Sequence, residues 1–204
     1  MKSKTPDFKE NGIVAAVILF IITAIVTAAL SSVNFATEPV IRLYAKETAD
    51  KARLTVFPDA AAFEDASAEF LPVKVRSIRS VAKVFDRDGT LMGLVIESYA
   101  SGYGGDINIM TGITADRTLI GLVVLSNSET PGLGTKVEDA GFTGRFLGGT
   151  PGVAYTLDKN GTDLNTVDAI TGSTISSRAV MNAVNAAVAF SGEVLDALGT
   201  GGME

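Results

Sequence analysis

The chain of 204 residues has no cysteine and no histidine. Without cysteine there is no disulfide and no thiolate metal site. Without histidine the commonest metal ligand and the commonest general base are both missing. No Gly-Lys-Ser or Gly-Lys-Thr tripeptide closes a Walker A loop. No repeat of fixed period and no low-complexity tract is visible. Basic residues are few and scattered, 17 against 23 acidic, for a net charge of −6. An acidic chain of this kind is a poor nucleic-acid binder. Charge is also missing locally. From Gly12 to Ala36 the sequence reads GIVAAVILFIITAIVTAALSSVNFA, with no ionisable side chain.

That stretch is long enough to cross a bilayer, which takes about 20 apolar residues. A cleaved signal peptide has a shorter apolar core, roughly 7–15 residues, although Ala28, Ala29 and Ser31 imitate a cleavage site. The run exceeds that core, so the expectation is an uncleaved anchor over 12–36. The preceding tail, 1–11, carries Lys2, Lys4 and Lys9 against Asp7 and Glu10, a net +1 that leaves −7 for the remainder. Positive charge at the short end favours that end inside. The bulk of the chain is then expected on the extracytoplasmic side of the cytoplasmic membrane, held by a single pass.

After the span, TEPVIRLYAKETADKARLTV has helical spacing. Thr37 is a candidate cap and Pro39 suits a first turn. We expect the helix to continue out of the membrane as a juxtamembrane stalk over 37–57, ending before Pro58. The period then changes. SVAKVF and TLMGLVIESYA flank Asp86-Arg87-Asp88-Gly89, a hairpin signal. A calcium loop is disfavoured there, because the further carboxylates and closing Glu of an EF-hand are missing. DINIMTGI and TLIGLVVLS read as two more strands. The fold class expected for 58–204 is α+β, an antiparallel meander with packed helices.

Two glycine-rich loops border these strands. GYGG holds Tyr103, Gly104 and Gly105. ETPGLG, with the following TK, holds Glu129, Thr130, Leu133, Gly134 and Lys136. They are either plain turns or two walls of a ligand pocket. GYGGDI lies between strands and opens no helix, so it is no dinucleotide fingerprint. Farther on, DAITGSTISS runs into ISSRAVMNAVNAAVAF. Ile175, Ala179, Ala183, Ala186 and Phe190 recur there on related helical faces. A helix cap explains one hydroxyl. Thr171, Ser173, Thr174, Ser176 and Ser177 are five. A phosphate seat at the helix start is the other reading, with Gly172 letting the backbone wrap and Arg178 adding charge if it faces inward.

DAITGSTISS resembles the flavinylation motif Asp-x-x-[Ser/Thr]-Gly-[Ala/Ser]-[Thr/Ser]. The resemblance extends to GYGGDI, to SETPGLGTKV, to ARLTVFPDAAAF and to the single N-terminal span. The chain is thus similar to the G subunits of the Rnf ion-translocating electron-transport complex, and to their relatives, the C subunits of the sodium-pumping NADH:quinone reductase. The latter are generally longer, and on that analogy the Rnf family is preferred. The chain departs from the pattern at Thr171, where many members have Ser, and at Ser173, where many have Ala. It also lacks the His that some relatives carry before ETPGLG.

The resemblance implies FMN joined by a phosphoester to Thr174. A separate flavin transferase would attach it, and the chain would be that enzyme's substrate. This agrees with the lack of any nucleophile–base pair. Asp168 would help position the acceptor, or be a solvated turn residue. Glu129 and Thr130 would hydrogen-bond the flavin and Leu133 would stack on it. Tyr103, Gly104, Gly105, Gly134, Lys136, Thr171, Gly172 and Ser173 would complete the site. The FMN would relay electrons between partner subunits, membrane and peripheral, of a complex coupling reduced ferredoxin and NAD to ion movement. The chain would not itself be a complete active site. The rival of another class is a membrane-anchored sensor or assembly factor with no covalent adduct. A secreted structural protein would require cleavage of the span.

Overall fold

The computed structural model describes residues 8–71, 77–158 and 163–199. The tail assigned to 1–11 therefore lies outside the described residues up to position 7. The chain divides into two compact units, Met1–Glu47 and Thr48–Glu204.

Helix α1 runs from Phe8 to Val56 without interruption. Gly12–Val56 is long and apolar enough to hold a candidate membrane span. The helix continues out of the apolar stretch into the juxtamembrane one, and Thr37 does not act as a cap. The Thr37 hydroxyl bonds back to the carbonyls of Val33 and Asn34, at 3.0 and 3.3 Å, and Pro39 lies inside the helix. Proline deletes one backbone donor, but adding turns to a formed helix is easier than nucleating a new one. The expected end before Pro58 is observed.

Five strands follow in a meander: β1 Ala62–Asp65, β2 Ile78–Phe85, β3 Leu91–Ser101, β4 Asp106–Thr114 and β5 Leu119–Ser126. Each pairs antiparallel with the next. β1 was not foreseen; its four residues, AFED, show no alternation for a sequence to display. A one-turn helix, α2 Ser67–Phe70, connects β1 towards β2. The hairpin at Asp86 is as expected. Its carboxylate accepts the amides of Asp88 (2.9 Å) and Thr90 (2.8 Å), which makes it a turn residue.

Beyond β5 come a 3-10 turn at Gly134–Glu138, helix α3 Ala140–Thr143 and a second 3-10 turn at Gly144–Phe146. Two-residue strands β6 Thr156–Leu157 and β7 Thr166–Val167 pair in parallel. These were unforeseen too, since two residues have no period to read. Helix α4, Thr174–Ala197, is the last element among the described residues.

α4 covers one face of the sheet. Its Ala179, Val180, Ala183, Val184 and Ala187 pack with Leu94, Ile96, Ile107, Ile109 and Ile113, all buried. The buried Ser98 hydroxyl donates to the Ala183 carbonyl (2.9 Å), locking strand to helix. Of the periodic residues read from the sequence, Ala179, Ala183 and Phe190 are buried and Ala186 is half-buried. Ile175 is 55% exposed and does not join the core face.

The opposite face packs the end of α1. Ala52, Val56 and Phe57 meet Val84, Val95 and Met110. Gly112 and Gly121 are cross-strand partners. A Cβ at Gly112 would lie 2.6 Å from the Val56 carbonyl, and one at Gly121 would lie 2.5 Å from the Val56 Cα. The two glycines form a notch that admits the helix backbone. Residues ahead of position 58 are thus part of the second unit's core.

Candidate functional site

The two glycine loops and the start of α4 converge at one end of the sheet. The loop after β3 is pinned by Glu129. Its Oε1 accepts the amides of Tyr103 (2.8 Å) and Gly104 (3.1 Å). Its Oε2 accepts the Ser176 hydroxyl of α4 (2.7 Å). Glu129 is 5% exposed. One carboxylate therefore joins three segments that lie far apart in sequence.

The glycines are explained by the same packing. A Cβ at Gly102 would lie 2.2 Å from Glu129 Oε1, one at Gly134 would lie 2.4 Å from Oε2, and one at Gly104 would lie 2.1 Å from the Ser128 carbonyl. Gly105 closes its loop by accepting the Gly102 amide (2.8 Å). Gly132 turns the ETPGLG loop at φ +77°, and its amide bonds Thr135 Oγ1 (3.0 Å). So the loops serve turn chemistry and close packing while also forming walls.

The cavity between them has a volume of about 520 Å³ and is open to solvent on one side. Tyr103, Glu129, Thr130, Leu133 and Gly134 line it from the loops. Gly172, Ser173, Thr174, Ile175 and Ser176 line it from the start of α4. Tyr103 and Leu133 stand at its rim, 73% and 50% exposed. Ligand sites of this size are mostly apolar with a few fixed polar groups. Ile175 and Ser176 line the cavity although the sequence pointed to neither as a contact. Ser176 belonged to the hydroxyl run, which was a usable signal.

The five hydroxyls divide by role. Ser177 is buried; its Oγ accepts the Ile170 amide (3.0 Å) and donates to the Ser173 carbonyl (2.9 Å). Ser176 holds Glu129. Thr171 and Thr174 are exposed. Ser173 is the N-cap of α4 but makes no side-chain cap bond. It is 5% exposed, and its Oγ has no partner among the described residues. An unpaired buried hydroxyl costs stability, and this one lines the cavity. Ser177 N bonds back to the Ser173 carbonyl (2.9 Å), the first regular bond of the helix. The amides of Thr174, Ile175 and Ser176 thus have no acceptor inside the helix, as at any helix start. Gly172, at φ +82°, makes the tight entry.

The remaining expected residues lie elsewhere. Lys136, Asp168 and Thr171 line a separate, polar groove with Arg145, Ala169 and Ile170, about 590 Å³ in volume. Arg145 donates to the Asp168 carbonyl (3.0 Å), and no sequence pattern announced it. Arg178 is exposed and lines neither hollow. Gly104 and Gly105 pack against Ser128 and are not among the residues that line the cavity.

The FMN-binding domain family matches residues 102–189, the span that contains both loops and the hydroxyl run. Among curated proteins, the chain is 34% identical to the G subunit of the Na(+)-translocating ferredoxin:NAD(+) oxidoreductase complex of Acetobacterium woodii, over 84% of this chain and 87% of that one. It is 33% identical to the G subunit of the ion-translocating oxidoreductase complex of Methanosarcina acetivorans, over 89% of this chain and 95% of that one. Among solved structures, Shewanella oneidensis NqrC aligns at 24% identity with a TM-score of 0.49, covering 70% of this chain and 74% of that one. On the identity and coverage of the two curated relatives, the chain belongs to the family of G subunits of the Rnf-type ion-translocating oxidoreductase complexes.

Proposed function

We propose that the chain is a membrane-anchored flavoprotein subunit that relays electrons within an ion-translocating ferredoxin:NAD oxidoreductase complex, with FMN held as a phosphoester on Thr174. One observation carries the assignment of the site. The exposed Thr174 hydroxyl stands at the mouth of a cavity beside the open start of α4 and the unpartnered Ser173 hydroxyl. The FMN-binding family match over the same residues supports it.

The residues fit the group. The amides of Thr174, Ile175 and Ser176, with the helix dipole, favour an anion such as a phosphodiester. Ser173 offers a hydroxyl without a partner among the described residues. Tyr103, Leu133 and Ile175 offer apolar surface to a flat ring. Thr130 remains a candidate polar contact on the opposite wall. Bound FMN would supply the redox chemistry. The chain's part is to seat the phosphate, shield one side of the ring from water and retain the group. A covalent link gives the ring a high local concentration where a dissociable one would be diluted away. Attachment falls to a separate flavin transferase, with Asp168 beside the acceptor as a candidate positioning group.

The domain scheme is a tail to residue 11, a span over 12–36, a stalk over 37–57 whose last residues, Ala52, Val56 and Phe57, pack into the domain that follows, and the flavin domain proper from 58. Its side is extracytoplasmic, on the strength of the lysines in the tail. There the chain would exchange electrons with neighbouring subunits and touch neither ferredoxin nor NAD. Crosslinking of NAD to this subunit in the assembled complex would refute that last point.

Intact-mass analysis of the chain from its native membrane, with peptide mapping, tests the proposal. The expected result is one FMN residue on Thr174, absent from Thr174→Ala. An unmodified chain from a host that has the transferase would instead favour the sensor or assembly-factor reading.

A further inference from the structure

Glu129 sits in the cavity wall with three donors on it and no cation paired to it among the described residues. Two backbone amides and the Ser176 hydroxyl donate to its two oxygens, and a carboxylate can accept all three. Bonds to a charged acceptor are roughly twice as strong as neutral ones. The glycines at 102 and 134 leave room for this carboxylate and for little else. A buried charge without a counter-ion is otherwise disfavoured, so its position has a structural explanation only in what it assembles.

We propose that Glu129 is a positioning residue rather than a flavin ligand. Its carboxylate holds the Tyr103–Gly104 backbone against the first turn of α4 before any cofactor arrives. It thereby leaves a fixed negative charge in the wall of the redox site. That charge disfavours adding an electron to a group beside it, because the interaction is only partly screened away from bulk water. The clamp stands on the geometry alone. Its electrostatic consequence rests on the flavoprotein reading.

The test uses the full chain in two states. In the unflavinated protein, amide exchange is measured at Tyr103 and Gly104, with the β4 amides as a folding control. Glu129→Ala should speed both loop amides by about tenfold or more while β4 stays protected. Glu129→Gln should restore most of the protection, since its amide oxygen can accept from the same two donors. Unchanged exchange at both positions in Glu129→Ala overturns the clamp. If Glu129→Ala loses β4 protection, Ser176→Ala decides: faster loop exchange supports the clamp and unchanged exchange overturns it.

In the flavinylated protein, Glu129→Gln should raise the reduced-to-oxidised ratio about tenfold at fixed ambient potential, or about 59 mV for a one-electron couple. An unchanged potential would overturn the electrostatic half. Absence of any adduct on the wild-type chain would sink the flavoprotein reading and leave the exchange result standing, so the two failures are distinguishable.

Discussion

Two hollows flank the Thr171–Gly172 step, and they are built on different plans. The cavity has an apolar rim, Tyr103, Leu133 and Ile175, over polar groups that the protein has largely fixed in place. Its carboxylate is buried and bonded through both oxygens, and the buried Ser173 hydroxyl has no partner among the described residues. The neighbouring groove carries Lys136, Arg145 and Asp168, all exposed to solvent. Water already satisfies such groups, and exposed ions contribute little to structure. The cavity is preorganised, so a ligand that matches it meets little reordering cost. The groove is adaptable and asks nothing specific of a partner. That contrast separates residues the sequence had grouped into one site.

The contrast breaks first at Gly134. A Cβ there would meet Glu129 Oε2 at 2.4 Å and Glu129 Cβ at 2.6 Å. Gly134→Ala should therefore push the clamp aside. Overpacking of this kind costs about 1–3 kcal/mol, and chemical denaturation of the unflavinated chain would read it. The adduct on Thr174 should fall with it, even though position 134 is far from Thr174 in sequence. Stability equal to wild type would mean that the cavity is not held by Glu129 as described.

Ser173→Ala should act in the opposite direction. The hydroxyl makes no cap bond, so the usual loss on removing an N-cap does not apply. Removing an unsatisfied buried polar atom should stabilise the unflavinated chain by up to about 1 kcal/mol. In the flavinylated chain the gain should shrink or reverse, because Ser173 would then have a partner. Thermal unfolding of both forms gives the comparison. The same gain in both would show that Ser173 never meets the cofactor.

Much of the fold was legible in the sequence because it rests on period. Leu94, Val95 and Ile96 alternate between the two faces, and Asp86 announces its turn. α4 was visible from its alanines. What escaped was set by contacts distant in sequence. Glu129 reads as a loop carboxylate free to bind a ligand, yet amides 25 and 26 residues upstream and a hydroxyl 47 residues downstream claim its oxygens. Ile175 falls on the apolar face by spacing. At the first turn of α4 it lines the cavity and stays outside the core. The loops and the hydroxyl run that line the cavity were legible as motifs, while their division into a fixed cavity and a solvated groove was not.

Lys136 gives the smallest expected effect and the sharpest check on that division. Its side chain is exposed in the groove and forms no salt bridge among the described residues. A surface substitution of this type usually stays within about 0.5 kcal/mol, so Lys136→Ala should leave stability unchanged. It should also leave the amount of FMN on Thr174 unchanged by quantitative mass analysis. The loss of one solvated cation removes no contact the cavity uses. If the adduct instead disappeared while the fold survived, the groove would have to take part in seating the phosphate or admitting the transferase. The two hollows would then be one site reached from two sides, and Asp168 and Arg145 would be the next residues to change.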